Sequence, residues 1–508
     1  MFNFFVKLYY PNKSTSQKTM IGIDQRINDL FQPVVDALAQ VLFWDPLNAI
    51  GIDIGATAPI VVIWLILAGL FFTIRMKFIN IRAFGHGLAL VSGKYKTGKK
   101  DGEVSPFQAL ATALSATVGL GNIAGVAIAI SIGGPGATIW MIMAGFLGMS
   151  LKFTECTLGV KYRQVDKEGK ISGGPMYYLK KGFEKRGVKS VGTFLSALFA
   201  ILVIGGSCGG GNMLQANQAF SQFQYVVPQA QGYGAVFGLV LAFMVGLVVI
   251  GGIKGIARVT SKLVPFMAIL YVGTALYIIG VHFYHIGDVF RLIFNGAFGL
   301  DAVGGGIFGA LFIGFQRGAF SNEAGIGSSP IVHAAAKTTE PVSEGMVALL
   351  EPFVDTIVVC TMTAMVIICT GFHINPEGLE GTQLTAAAFE SILPWFPYIL
   401  VICIFLFAFS TMISWSYYGL KGFNYLFEKG FIRLTGKKRS SEIVFYLLFL
   451  TCIVIGSSSS LSAVIDFSDM MILGMAFPNV IGLITFSKEI SSDLKDYLHR
   501  LKNGKILK

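Results

Sequence analysis

Ser115-Ala116-Thr117-Val118-Gly119-Leu120-Gly121-Asn122 lies in the middle of an otherwise apolar run from Phe107 to Ile132. Two glycines one residue apart weaken a helix at that point, because glycine loses more backbone freedom on ordering than any other residue. Ser115, Thr117 and Asn122 set side-chain oxygens beside the weak point. Inside a bilayer, irregular backbone is tolerated only where protein or a water-filled cavity surrounds it. The octapeptide therefore reads either as a glycine-lined helix crossing or as the unwound turn of a ligand site.

A second interruption decides between these. Gly304, Gly305, Gly306, Gly309, Gly314, Gln316, Arg317, Gly318, Asn322, Glu323 and Gly325 begin as a marginal apolar span and dissolve into polar, glycine-rich sequence. This stretch comes five spans after the first and so opens a second group of five. Glycine-interrupted segments at matching positions of two halves point to an inverted-repeat transporter with a midplane site. An unwound turn frees N–H groups that suit a carboxylate and C=O groups that suit Na+. The stretch 396–420 adds hydroxyls at Ser410, Thr411 and Ser414, just after Ala408, and Thr411 and Trp415 share a helix face. Hydroxyls so placed either face an ion or bond back to their own helix.

The rest of the chain agrees with a membrane setting. Of its 508 residues 54% are hydrophobic and 13% charged, with a mean hydropathy of +0.68, far from the roughly one-quarter charged content of soluble domains. Eleven stretches approach the ~20 apolar residues a helix needs to cross a bilayer: 59–76, 107–132, 135–160, 192–220, 235–253, 259–280, 303–320, 341–371, 396–420, 443–457 and 461–486. The net charge of +11 comes from short basic clusters between them, not from a basic face of the kind that binds nucleic acid. Loops 75–106, 161–191, 254–262, 316–340, 421–442 and 488–508 contain seven, nine, three, two, six and six Lys and Arg residues. The loops 221–234 and 372–395 have none, and 281–302 has Arg291 alone. Positive residues favour the cytoplasm, so the expected arrangement in the cell's inner (plasma) membrane is N-terminus outside and C-terminus inside.

By this reading residues 1–58 form an extracytoplasmic segment, with an amphipathic surface helix around Ile27–Leu42. A leading span follows at 59–76, then five-helix units at 107–280 and 303–486 and a basic tail at 487–508. Loops of about thirty residues leave no room for a nucleotide-binding module, and no GxxxxGK[ST] occurs. HExxH does not occur, and no paired catalytic carboxylates stand out, so an enzyme is not expected. A passive channel would need a continuous polar lining, whereas the polar residues cluster at two breaks. The six cysteines show no CxxC spacing and read as packing residues. Glu351 and Asp355, one turn apart within 341–371, are intramembrane acids suited to a cation or proton, to pairing with a base, or to a protonated state. Lys152 and Glu155 are spaced for an ion pair. Neither 107–132 nor 396–420 has a charged side chain, which favours a net-neutral zwitterion, and Trp415 with nearby Phe residues favours a small one.

Several motifs, in order and spacing, resemble the alanine or glycine:cation symporter family. They are Pro106-Phe107-Gln108-Ala109-Leu110, Asn122-Ile123-Ala124-Gly125-Val126-Ala127, Gly133-Gly134-Pro135-Gly136, Gly173-Gly174-Pro175-Met176-Tyr177-Tyr178 and Gly318-Ala319-Phe320-Ser321-Asn322-Glu323-Ala324-Gly325. The resemblance runs from about residue 60 to 487. It implies an all-α polytopic membrane protein of the leucine-transporter type, a 5+5 inverted repeat with one additional N-terminal transmembrane helix. It implies Na+ and a small amino acid such as alanine or glycine as cargo, the lipid bilayer as surroundings, and no obligate protein partner. In that pattern the N–H groups of Leu120 and Gly121 meet the substrate carboxylate, with Thr117 and Gly119 beside it. Carbonyls of Ser115 and Val118 meet sodium, and Ala408, Ser410 and Thr411 complete that ion site. Gln215 and Trp415 line the substrate pocket, and the second substrate-facing turn falls near Gly314, Phe315 and Gln316.

Overall fold

The computed structural model describes residues 39–95, 102–166, 168–299, 306–374, 378–379 and 381–506. Most of the expected surface helix at 27–42 therefore lies outside the described residues, as do Gly304 and Gly305.

Among the described residues helices dominate, with one two-stranded antiparallel ribbon, Gln164–Val165 with Ile171–Ser172. The leading helix α1 spans Ile60–Arg75. The first broken span is α2 (Pro106–Thr117) and α3 (Ala124–Gly133), bent by 56°. Then come α4 (Ala137–Lys161), the short α5 (Pro175–Glu184) and α6 (Lys189–Val226), which includes a π-helical turn at Gly209–Met213. The first half closes with α7 (Gly234–Val249) and α8 (Gly252–Val281), followed by the connecting helix α9 (Ile286–Phe298). The second half opens with α10 (Gly306–Asn322), a non-helical stretch and the one-turn α11 (Pro330–His333). After these come α12 (Pro341–Cys369), α13 (Phe396–Thr435), α14 (Arg439–Ser458), α15 (Leu461–Gly474) and α16 (Ala476–Lys502).

Over its described residues each of the eleven apolar stretches is mainly helical. Among the described residues seven helices are long and apolar enough to cross a bilayer, and the bent α2–α3 pair makes an eighth. α1 and α7 are shorter apolar helices, and α10 has 17 residues. The stretch 443–457, marginal by length in the sequence, belongs to a 20-residue helix. Phe243 on α7 and Ile269 on α8 are 68% and 74% exposed, as side chains facing lipid are. All six cysteines are free, and five are buried.

The turn expected at Gly314–Gln316 does not exist: α10 runs unbroken to Asn322. Gly314 and Gly318 instead form a small-x-x-x-small stripe that lets α10 approach α4 closely, a common device where lipid gives no hydrophobic drive. A Cβ on Gly314 would lie 2.6 Å from the Ala137 carbonyl oxygen and from Trp140 Cβ, and one on Gly318 2.8 Å from Ala144 Cβ. Phe315 packs beside Trp140, with ring centroids 6.2 Å apart. The real break is displaced to Glu323–Ser329, where Glu323, Gly325 and Gly327 have φ of 55°, 81° and 92°. Arg317, counted above with a basic loop, is thus inside a helix.

Gly314→Val should therefore weaken the α4–α10 contact by about 1–3 kcal/mol through overpacking. The expected result is a lower melting temperature in detergent, without a selective loss of substrate recognition.

Candidate functional site

Helix α2 starts on a capping box in which Ser105 Oγ accepts from Gln108 N at 3.2 Å and Gln108 Oε1 accepts from Ser105 N at 3.0 Å. It ends at Val118 and Gly119, both extended, before a single 3-10 turn at Leu120–Asn122. Gly119 N donates to Asn122 Oδ1 at 2.8 Å, so the asparagine side chain replaces a lost helical acceptor. Asn122 O and Ile123 O accept hydroxyls from Thr363 at 2.8 Å and Thr385 at 3.2 Å. Leu120 N and Gly121 N find no acceptor among the described residues. Leu120 is buried and Gly121 half-buried, and a buried backbone N–H is seldom left so.

On one side of this break stands α13. Thr411 Oγ1 donates to Ser115 O at 3.0 Å, Ser115 Oγ donates to Ser410 O at 2.6 Å, and Ser414 Oγ donates to Ser115 Oγ at 3.0 Å. The Ser410 hydroxyl itself bonds back to Phe407 O at 2.9 Å. Ala408 is wholly buried on the same helix, and Val118 is buried at the break. Thr117 Oγ1 turns to its own helix, 3.4 Å from the Ala113 and Leu114 carbonyls. Thr411 can approach because residue 119 is glycine: a Cβ there would lie 2.7 Å from Thr411 Oγ1 and 3.4 Å from Gln215 Oε1.

Gln215, on α6 just after the π-helical turn, donates to Gly210 O at 2.9 Å, while its buried Oε1 has no hydrogen-bond partner. The same turn seats Trp415, since a Cβ on Gly211 would fall 2.2 Å from the indole Cγ. Trp415 is 1% exposed and donates Nε1–H to Glu323 Oε1 at 3.1 Å. Its ring therefore fills the space between α6 and the second break and does not border the small cavity described next.

That cavity holds about 20 Å³ and is lined by Leu120, Gly121, Gln218, Arg317 and Phe320 among others. That is little more than the ~10–15 Å³ a single water needs. Arg317 pairs with Asp469 of α15 at 3.0 Å. The cavity is thus not free of fixed charge, as the two uncharged spans had implied, although the guanidinium meets a carboxylate.

A second group lies between the two breaks. Asn122 Nδ2 is 2.7 Å from Asp355 Oδ1 and 3.1 Å from Ser321 Oγ. Ser321 and Thr356 donate to Asp355 Oδ2 at 2.8 Å and 2.7 Å. Asn122, Ser321 and Asp355 are all at most 1% exposed, and no Lys or Arg among the described residues forms an ion pair with Asp355. A carboxylate held only by neutral donors in such a place suits a cation. Sequence reasoning singled out Asp355 as an intramembrane acid and Asn122 as an oxygen donor, but nothing in their spacing joins residues 233 positions apart. Ser321 stood unnoticed inside the Gly318–Gly325 motif.

Glu351 goes elsewhere, to Lys152 at 3.0 Å and His333 at 2.5 Å. Lys152 is 4.0 Å from Glu155, so the expected α4 pair is the weaker of its two contacts. Cys156, His333 and Glu351 bring possible metal-ligand atoms within 4.8 Å of one another. Both His333 ring nitrogens face carboxylates, however, and Lys152 supplies the positive charge.

Known proteins match this chain over most of its length. The model of the sodium:alanine symporter family matches residues 48–508. The sodium/alanine symporter AgcS of Methanococcus maripaludis is 39% identical over 451 residues, 88% of this chain and 95% of that protein. The probable sodium/glutamine symporter GlnT of Bacillus subtilis is 34% identical over 451 residues, 88% and 90% of the two chains. A crystal structure of MhsT with L-phenylalanine covers 77% of this chain and 100% of that one, with 16% identity and a TM-score of 0.47. With a family match from residue 48 to the last residue, and relatives aligned over nearly their whole length, the chain is a multi-pass membrane protein that belongs to the sodium:alanine symporter family.

Proposed function

We propose that this protein is a symporter that uses the sodium gradient to import a small neutral amino acid, alanine or glycine, by alternating access. The observation that carries this reading is the first break. It offers two unpartnered N–H donors at Leu120 and Gly121, next to an oxygen-rich wall of Ser115 and Thr411. The donors suit the substrate carboxylate, and the orphan Gln215 Oε1 suits its ammonium. Ser115 O, Val118 O, Ala408 O and Thr411 Oγ1 supply the several oxygens a hard cation takes. The Ser410 contribution is its carbonyl, which already serves Ser115. Asp355, with Asn122 and Ser321, supports a second cation between the breaks. Each bound ion lowers the cost of placing the carboxylate, so ion and amino acid strengthen each other's binding.

The loop charges support an outside N-terminus and a cytoplasmic C-terminus. A proton-coupled version of the same carrier is the second reading, motivated by Asp355 and by the buried acids beyond it.

Alanine uptake into proteoliposomes under sodium, potassium and proton gradients is the primary test. Uptake that survives removal of sodium rules out the sodium reading. Thr411→Ala should raise the sodium concentration for half-maximal uptake about tenfold, the effect of losing ~1.4 kcal/mol of binding; an unchanged sodium response removes Thr411 from the ion site. Gly119→Leu should abolish uptake, since its side chain would occupy the contact between Thr411 and Gln215. Asp355→Asn should weaken sodium coupling while thermal stability stays close to wild type, because the amide retains the shape and part of the hydrogen bonding of the acid.

A further inference from the structure

Below the second break lies a buried group of ionisable side chains for which transport of sodium and alanine supplies no use. Lys152 and Glu155 come from α4, His333 from α11, and Glu344 and Glu351 from α12; all five are at most 1% exposed. Three carboxyls face two basic groups. Glu351 is bracketed by Lys152 at 3.0 Å and His333 at 2.5 Å, and His333 also meets Glu344 at 2.7 Å. Arg163 adds positive charge toward Glu344 from outside the group.

Glu155 is left over. Its Oε2 accepts from Asn479 Nδ2 at 2.9 Å, and its Oε1 is wholly buried without a hydrogen-bond partner. Lys152, 4.0 Å away, is committed to Glu351 and to the Ser329 hydroxyl. The other titratable groups around Glu155 relieve nothing. Cys156 of its own helix, Tyr178 of α5 and Glu351 of α12 are neutral or acidic, and apart from Lys152 and Asn479 only the Gly325 backbone adds a favourable contact. An ionised carboxylate left this way costs far more than a neutral carboxylic acid.

The group also holds both ends of the second break. Asn479 Nδ2 joins Glu155 to Gly325 O, at 2.8 Å, while Ser329 Oγ donates to Glu351 Oε2 at 2.8 Å. Opening the site past residues 323–329 must pull Gly325 from Asn479 and Ser329 from Lys152. Lys152, losing an acceptor, then has a donor to turn toward Glu155.

We propose that Glu155 is a proton-binding site, neutral while the second break is closed, and that it loses its proton to water when the break moves, as Lys152 pairs with the new carboxylate. The O–H bond of the Glu155 acid is the only covalent bond broken, and the lysine stays charged throughout. The site makes opening sensitive to pH, with acid holding it shut. Only the uptake assay below rests on the transporter reading of the preceding subsection; the spectroscopic arm does not.

Infrared spectra of the purified full-length chain near neutral pH should show a carbonyl stretch of a neutral carboxylic acid that Glu155→Gln removes and Glu155→Asp shifts. In proteoliposomes, wild-type sodium-driven uptake should fall severalfold from about pH 8.5 to about pH 6, a range in which a carboxyl titrates only if it is held away from its ordinary ~4.3. Glu155→Gln, fixed in the neutral form, should be slow at both values and indifferent to pH. A wild-type spectrum indistinguishable from that of Glu155→Gln overturns the proposal, as does a Glu155→Gln profile that keeps the wild-type pH dependence. If Glu155→Gln does not fold, the Glu155→Asp spectrum decides, and an unshifted band refutes the assignment. Wild-type chain without any sodium-driven uptake would count against the transporter reading, and the infrared band would still decide the protonation of Glu155.

Discussion

Peptide groups released from helical bonding deep in a bilayer have no water to turn to, and each left alone costs several kcal/mol. The core of this protein is arranged around that constraint at the first break. Gly119 N is met by Asn122, and Ser115 O by Thr411. Asn122 O and Ile123 O are met by Thr363 of α12 and by Thr385 of the helix Thr382–Glu390 that follows it. Apart from Asn122, these partners come from distant parts of the chain, so the break persists only while the two halves stay assembled. The groups that remain without partners, Leu120 N and Gly121 N, are then conspicuous as places for a ligand.

Close approach is what makes this satisfaction possible, and glycine provides it at two levels. At residue 119 the absent side chain lets a hydroxyl of α13 and an amide of α6 reach the unwound backbone. At residue 211 it lets the Trp415 indole lie against the π-helical turn, from where its N–H reaches the second break through Glu323. The two breaks are thus joined through Asn122, Ser321 and Asp355 on one side and through α13 and Trp415 on the other. The side chains that satisfy the first break are therefore in direct contact with those of the second.

The charges follow a related rule. Arg317 with Asp469, and Lys152 with Glu351, are oppositely charged pairs from different helices, buried where an unpaired ion would be prohibitive. Asp355, Glu323 and Glu155 are buried acids that these two pairs do not cover. Asp355 lies between the breaks, Glu323 in the second break itself, and Glu155 against Asn479 and the Gly325 backbone.

Hydropathy determined the helical spans, because a membrane helix must be apolar over its own length and neighbours in sequence suffice to show it. The first break was legible for the same reason: Gly119 and Gly121 weaken the very segment they occupy. The family motifs Gly173–Tyr178 and Gly318–Gly325 were likewise local. The second break was misplaced by about ten residues, since a glycine that lets two helices touch and a glycine that ends a helix look alike in one chain. Only the packing of α10 on α4 assigns Gly314 to the former, and only the positive φ at Glu323, Gly325 and Gly327 marks the latter. The partners of Ser115, the meeting of Asn122 with Asp355 and the solitary position of Glu155 were likewise fixed by the tertiary structure, because each depends on residues hundreds of positions apart sharing a volume without water.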